Sequence, residues 1–281
     1  MAWRAGPARE GPALAKWPLR ELVEALVGRV SMDRNDIRRW DSVAQRYADW
    51  LSGADGPDGK EVTEMVTSAV LEVIGDVSGS RVLDLGCGEG HLARTLARMG
   101  AVVDGVDGSA GMIAIARRAS AGLAVAFRQS DIRTVLPYPE RNFDVAVYNM
   151  VLMDVDQVAD VVRQAERVLK ENGRFVFSIT HPCFSAHILG RQESSGEQQG
   201  CRPRRRYTVP VRWTKNPFGG MAPSATVTHY HRPIGYHVRA VLAAGLAICV
   251  FVETSMPEPS AHPDLHRFYL TAHSLIIAAR K

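Results

Sequence analysis

The segment Val82-Leu83-Asp84-Leu85-Gly86-Cys87-Gly88-Glu89-Gly90 sets three glycines at alternate positions behind a short apolar run. Glycines there let a chain turn tightly at a strand end and bring backbone against a ligand. A dinucleotide fingerprint needs a glycine where His91 stands, so the loop is poorly suited to a pyrophosphate and a nicotinamide dehydrogenase is disfavoured. A GxGxG loop with Asp84 two positions before its first glycine leaves room instead for an amino-acid group and a ribose. About twenty residues past that glycine, Val103-Asp104-Gly105-Val106-Asp107 ends in a carboxylate that can accept from both ribose hydroxyls.

Candidates for acting on a second molecule lie later in the chain. His181 follows Ile179-Thr180 at the carboxyl end of an expected strand, where ligands of α/β sheets bind. Its ordinary pKa of about 6.5 suits a general base near neutrality. His229, His262 and His266 are further options that nothing in the sequence ranks. Tyr230 and His231 are substrate-side candidates. Trp213, with Tyr207 and Phe218, could form an apolar wall suited to an aromatic or isoprenoid acceptor. The run Arg202-Pro203-Arg204-Arg205-Arg206 reads either as a clamp for an anionic group or as a solvated loop. The nine histidines show no HExxH or similar spacing, and no metal is expected.

The elements that must position these groups follow from periodicity. Apolar residues at helical spacing predict helices over 18–30, over 36–51 with Trp40, Val43, Tyr47 and Trp50 on one face, and over 60–74. Short apolar runs then alternate with helical stretches. Strands are expected over 81–85, 101–106, 124–129, 143–148 and 173–179, with helices over 90–99, 109–119 and 155–170. Regular alternation returns with a helix over 234–244, a strand over 246–252 and a last strand from about Phe268 to Ala279. Strands alternating with helices imply an α/β fold, a parallel sheet covered on both faces. The stretch 181–233 breaks the rhythm. At about fifty residues it is too long for a plain connection, and it reads as a substrate cap rather than an idle excursion.

Composition bounds the rest. The chain has 281 residues, 46% of them hydrophobic and 23% charged, enough for one α/β domain with additions. A net charge of +4 falls well short of a nucleic-acid tail or a membrane anchor. Four cysteines without a CxxC pair fit a reducing cytoplasm better than a disulfide framework. No apolar run of about 18 residues suggests a membrane span. The first residues carry charge without an apolar core, and read as a flexible leader rather than a secretory signal.

Five motifs in order carry a resemblance: VLDLGCGEG, GVDGSAGMI, SDI at 130–132, FDVAVYNMVLMDV and LKENGRFVFSI. Together, over roughly 40–180, they resemble the class I S-adenosylmethionine-dependent methyltransferases, nearest the small-molecule group that includes ubiquinone-type enzymes. HRPIGYHVRAVLAAGL weakly resembles the family's late helix. The resemblance implies a Rossmann-like, seven-stranded, mostly parallel sheet and S-adenosylmethionine as cofactor. It implies that Gly86, Gly88 and Gly90 line the methionine and ribose portion, that Asp84 holds the loop or the amino group, and that Asp107 binds the ribose. Gly108 and Met112 would flank the adenine, and Asp131 would bond its amino group with Ile132 beside it. Asn149 and Met150 would lie near the amino acid and the sulfonium. Tyr47 matches an aromatic position that closes over the site, and with His181 it is the expected catalytic pair.

The domain organisation expected is a leader over 1–16, a helical cover over 17–76, a cofactor-binding core over 77–180, the cap over 181–233 and the end of the core over 234–281. The cover either lies within one chain or exchanges between subunits of a homo-oligomer. Methyl transfer to a small molecule of secondary metabolism is the expected activity, in part from the Ala- and Arg-rich texture. The same fold could instead serve as a cyclase or a binding module. A nucleic-acid methyltransferase is disfavoured because Tyr148-Asn149-Met150-Val151 lacks an Asn-Pro-Pro-aromatic signature and no RNA-binding module appears.

Overall fold

The computed structural model describes residues 35–54, 57–184, 207–215, 226–256 and 271–281. The expected leader, the helix over 18–30, the arginine run, Phe218, His262 and His266 lie outside the described residues.

Two helices open the described chain, α1 (Asn35–Ser52) and α2 (Pro57–Ile74). The alternating part follows: β1 (Arg81–Leu85), α3 (His91–Arg98), β2 (Val102–Asp107), α4 (Ala110–Ala119), β3 (Val125–Gln129) and β4 (Phe143–Asn149). A 3-10 turn (Leu152–Asp154) leads into α5 (Val158–Val168) and β5 (Leu169–Thr180). A hairpin of β6 (Val211–Lys215) and β7 (Val227–His231) precedes α6 (Ile234–Ala243), β8 (Ala247–Thr254) and β9 (Ser274–Arg280).

Seven strands form one sheet in the order β3-β2-β1-β4-β5-β9-β8. β1 to β5 run parallel, and β9 is antiparallel to both β5 and β8. This is the seven-stranded, mostly parallel sheet expected. Side chains alternate across it, because successive residues of a strand point to opposite faces. Leu83, Tyr148, Phe175 and Phe177 pack with Val161 and Val241 of α5 and α6. Val82, Val147, Val176 and Ile276 pack with Val70 and Leu96 of α2 and α3 on the other face. Burial on both faces explains why these strands read as continuous apolar runs.

Two boundaries differ from expectation. The helix expected over 155–170 is α5, shorter at both ends, and β5 begins at Leu169 rather than Gly173. The pairing of β4 with β5 slips between Phe143↔Leu169 and Val145↔Arg174, which lets a bulge with Asn172 at φ 62° join the strand. At the other end Asp154 and Asp156 serve tertiary contacts instead of the first helical turn. The last strand starts at Ser274.

The hairpin is antiparallel, with Trp213 opposite His229 and Arg212 opposite Tyr230. All five residues of β7 are buried. Trp40, Tyr47 and Trp50 of α1 pack with Val43 and Val227, so α1 covers the hairpin. No helix of the described residues is long and apolar enough to cross a membrane.

Candidate functional site

β1, β2 and β4 end side by side at one edge of the sheet, and the glycine loop turns there. Both Gly86 N–H and Cys87 N–H donate to the Val106 carbonyl (2.7 and 3.0 Å), tying the loop to β2. A Cβ on Gly86 would lie 2.6 Å from Val151, and one on Gly90 would lie 2.8 Å from Phe127. A Cβ on Gly88 would meet nothing within 4 Å. The outer glycines therefore serve close packing. The middle one, at φ 54°, opens onto space.

Asp107 closes this loop. Its Oδ2 accepts from Gly88 N–H (3.0 Å) and its Oδ1 from Ser109 N–H (2.8 Å). Each bond uses one acceptor position of its oxygen, and a carboxylate oxygen has two. Burial pushes the Asp107 carboxyl up from its ordinary value against these bonds. Asp84 is 1% exposed, and its Oδ2 has no hydrogen-bond partner among the described residues. Burial first, then the charges of Asp107 and Glu89, push its carboxyl up to about 7. Glu89 is buried and paired with Arg94. A buried set of acids around an open loop, one oxygen of it unpaired, is fitted to a cationic amino group and a diol.

The other cofactor-side candidates cluster nearby. Gly108 lies under Ile37 of α1, 2.8 Å from where its Cβ would be. Met112 is 2% exposed in α4, and its N–H donates to the Ser109 cap. Ile132 is buried in the core. Asp131 is held by Arg133: Oδ1 accepts from its N–H and Nε, and Oδ2 from Nη2 at 2.8 Å. An incoming amino group would share these oxygens with a guanidinium. At the end of β4, Met150 adopts φ 58°, rare for a side chain without local hydrogen bonding. Ser178 holds that turn, donating to Asn149 Oδ1 (2.7 Å) and accepting from Met150 N–H (2.9 Å). Ser178 was not singled out from the sequence, because a serine inside an apolar strand carries no visible signal.

A cleft lies between the end of β5 and the hairpin. Met153, Thr180, Trp213, Tyr230 and His231 help to line it, which brings the three substrate-side candidates together. Tyr230 donates to Asp36 (3.1 Å), and His231 Nε2 bonds the Tyr207 carbonyl (2.7 Å). His229 also lines the cleft. Its Nδ1 is 2.9 Å from Asp154 Oδ1, and its ring stands edge-on to Trp213 at 4.6 Å. In the neutral ring Nδ1–H donates to Asp154, which puts the ring's lone pair on Nε2. Among the described histidines, His229 is the one that both lines the cleft and pairs with an acid.

His181 is placed differently from the cleft histidines. Its Nδ1 accepts from Cys183 N–H (3.2 Å), which puts the proton on Nε2, and Nε2 bonds Glu253 at 2.6 Å. Both nitrogens are engaged, so the ring has no lone pair to offer a substrate. Burial pushes its pKa below the ordinary value, opposed by Glu253. It packs against Phe184 as a structural side chain.

Tyr47 of α1 packs with Trp40 and Trp50. Burial, then the charges of Asp154 and Glu89, push its hydroxyl well above the ordinary range, so it stays a neutral phenol. Two acids of the same helix were missed by sequence reading. Asp41 Oδ1 accepts from Ser109 Oγ and from Gly111 N–H, each at 2.7 Å, capping the N-terminus of α4. Asp36, 6% exposed, accepts from Thr228 and Tyr230 of β7 and pairs with Arg212. A lone acid in a helix reads as solvated, so neither showed in the sequence. Among the described residues no cluster of histidine, cysteine and acid side chains could hold a metal ion.

Comparison with known proteins agrees with this geometry. A methyltransferase-domain family matches residues 83–177. The ubiquinone biosynthesis O-methyltransferase of Sodalis glossinidius is 33% identical over 150 residues, 53% of this chain and 59% of that protein. That of Vibrio campbellii is 31% identical over 161 residues, 57% of this chain and 68% of that protein. The chain thus spans little more than half the length of the first curated relatives it matches. The crystal structure of an S-adenosylmethionine-dependent methyltransferase from Mesorhizobium loti superposes with a TM-score of 0.63 at 29% identity, covering 80% of this chain and all of that one. The glycine loop with its acids, the strand order and these likenesses agree, and the chain belongs to the class I S-adenosylmethionine-dependent methyltransferases.

Proposed function

We propose that the protein transfers the methyl group of S-adenosylmethionine to a small organic acceptor seated between the end of β5 and the hairpin. The observation that carries this reading is the division of the site. Acids and an open glycine loop stand on one side and a cleft with the His229–Asp154 pair on the other. When bound, the cofactor supplies an activated methyl group. Asp84 would face its amino group and Asp107 its ribose. Gly108, Met112, Asp131 and Ile132 would surround its base, with Asn149 and Met150 at the amino-acid end. The chain's part is to hold, orient and desolvate. Orientation alone can supply roughly 7–11 kcal/mol. Where the acceptor must lose a proton, His229 takes it and Asp154 stabilises the resulting imidazolium.

In this reading the expected cover over 17–76 acts through its described helices α1 and α2, which close over their own chain; 181–233 is the acceptor cap, and 77–180 with 234–281 is the core. The hydrogen bonds from α1 to α4 and β7 support a cover within one chain. A secondary-metabolic, cytoplasmic setting belongs to the proposal and rests on texture and cysteine spacing. The test is calorimetric titration with S-adenosylmethionine of the native protein and of Asp107→Ala. Two bonds to a charged group, each about 1.5–3 kcal/mol, predict a loss of roughly a hundredfold or more. Tight native binding should be followed by release of S-adenosylhomocysteine once an acceptor is supplied. A folded native protein that does not bind the cofactor would sink the proposal.

A further inference from the structure

The acceptor cleft holds two polar groups that the methyl-transfer reading does not use. Thr180 Oγ1, at the end of β5, and His237 Nδ1, on α6, are buried and have no hydrogen-bond partner among the described residues. Both residues line the cleft. His237 is 2% exposed, its ring between Phe177 (6.0 Å) and Tyr236 (5.8 Å). Buried polar atoms are almost always paired, and an unpaired one in a cavity marks a place where something else supplies the partner.

We propose that Thr180 and His237 form a recognition subsite for a neutral hydroxyl or carbonyl oxygen of the acceptor, separate from the group that is methylated. This rests on the reading of the cleft as the acceptor site. His237 is not a base: burial, then Arg232 and His231, push it down to about 3, so it stays a neutral imidazole with one N–H and one lone pair. A threonine hydroxyl both donates and accepts. A ligand hydroxyl can bond both groups, and a carbonyl can accept from both. Among the described residues that line the cleft, the one cation is Arg232, and it is already engaged. The guanidinium of Arg232 is buried between the Tyr230 and Tyr236 rings and donates to the carbonyls of Asp156 and Leu152. The acceptor class is a small, neutral molecule with two polar functions, one at His229 and one at the Thr180–His237 pair.

The experiment uses the full chain labelled with 15N-histidine and titrated with p-cresol, toluene and p-toluate, followed by the imidazole resonances. p-Cresol should bind at least tenfold more tightly than toluene or p-toluate and shift the His237 nitrogens. His237→Leu and Thr180→Val should each erase that preference while keeping S-adenosylmethionine affinity within twofold, and His237→Leu should raise Tm because it removes an unpaired polar atom. Equal binding of p-cresol and toluene, binding of p-toluate as tight as p-cresol, or a preference that survives both substitutions would overturn the proposal. Cofactor affinity, measured separately, shows whether the methyl-transfer reading itself has failed.

Discussion

Asp36 and Thr228 are joined by a 2.6 Å hydrogen bond across 192 positions of sequence, and this bond ties α1 to the hairpin. The same carboxylate accepts from Tyr230 and pairs with Arg212 and Arg39. α1 and the hairpin therefore meet at one buried acid.

Asp36→Ala should lower the unfolding free energy by about 1–3 kcal/mol. That is the low end for breaking a buried pair, because its arginine partners are partly exposed. Urea denaturation measures the loss. Hydrogen exchange should speed up in β7 and α1 together, and exchange confined to one of them would show that the two are not coupled.

Asp84 makes stability pH-dependent in an unusual direction. Its folded pKa, about 7, lies above the ordinary carboxylate value. Between pH 4 and 7 the folded protein therefore binds more protons than the unfolded chain, and stability falls as pH rises through this window. Asp84→Asn should flatten the slope. A bound amino group should favour the ionised acid, so cofactor binding at pH 6.5 should release a proton. Titrations in buffers of different ionisation enthalpy detect it, and identical apparent enthalpies would refute the assignment.

Asp154→Asn should reduce turnover by roughly 10²–10⁴-fold for an acceptor that must be deprotonated, with cofactor affinity little changed. The deficit should shrink at a pH where the acceptor ionises unaided. A pH profile parallel to that of the native enzyme would remove His229 from the chemistry.

His181→Gln is the contrasting variant. It loses the bond to Glu253, so its unfolding free energy should drop by about 1–2 kcal/mol while turnover stays within about threefold. A collapse of turnover in a folded protein would restore His181 as the base.

Much of the core was legible because its signals are local. Arg81–Leu85 is an apolar run meeting glycines, and the expected strand matches β1 end for end. Ser109 reads as the start of a helix and is the N-cap of α4. The start of β5 was not legible, since Leu169-Lys170-Glu171-Asn172 continues a helical pattern and only the bulge beside Phe143 draws it into the sheet. The ranking of histidines was hidden for a different reason. What separates His181 from His229 is Glu253 beside one and Asp154 beside the other, each more than seventy positions away. Asp36 and Asp41 were silent likewise, because their partners belong to elements distant in sequence.

The place of β9 bears on how the chain reaches this state. It is the last strand in chain order, yet it lies inside the sheet, with β5 on one side and β8 on the other. Arg174 pairs with Arg280, so these ladders close only after a loop of about a hundred residues has been brought together. β8 cannot dock on the parallel strands by itself, because β9 separates them. Nascent chains should thus hold β1 to β5 as a provisional sheet whose edge at β5 stays open, exposed to pairing with other chains. Docking of β8 and β9 as one antiparallel pair then becomes the slow, topology-limited event of folding.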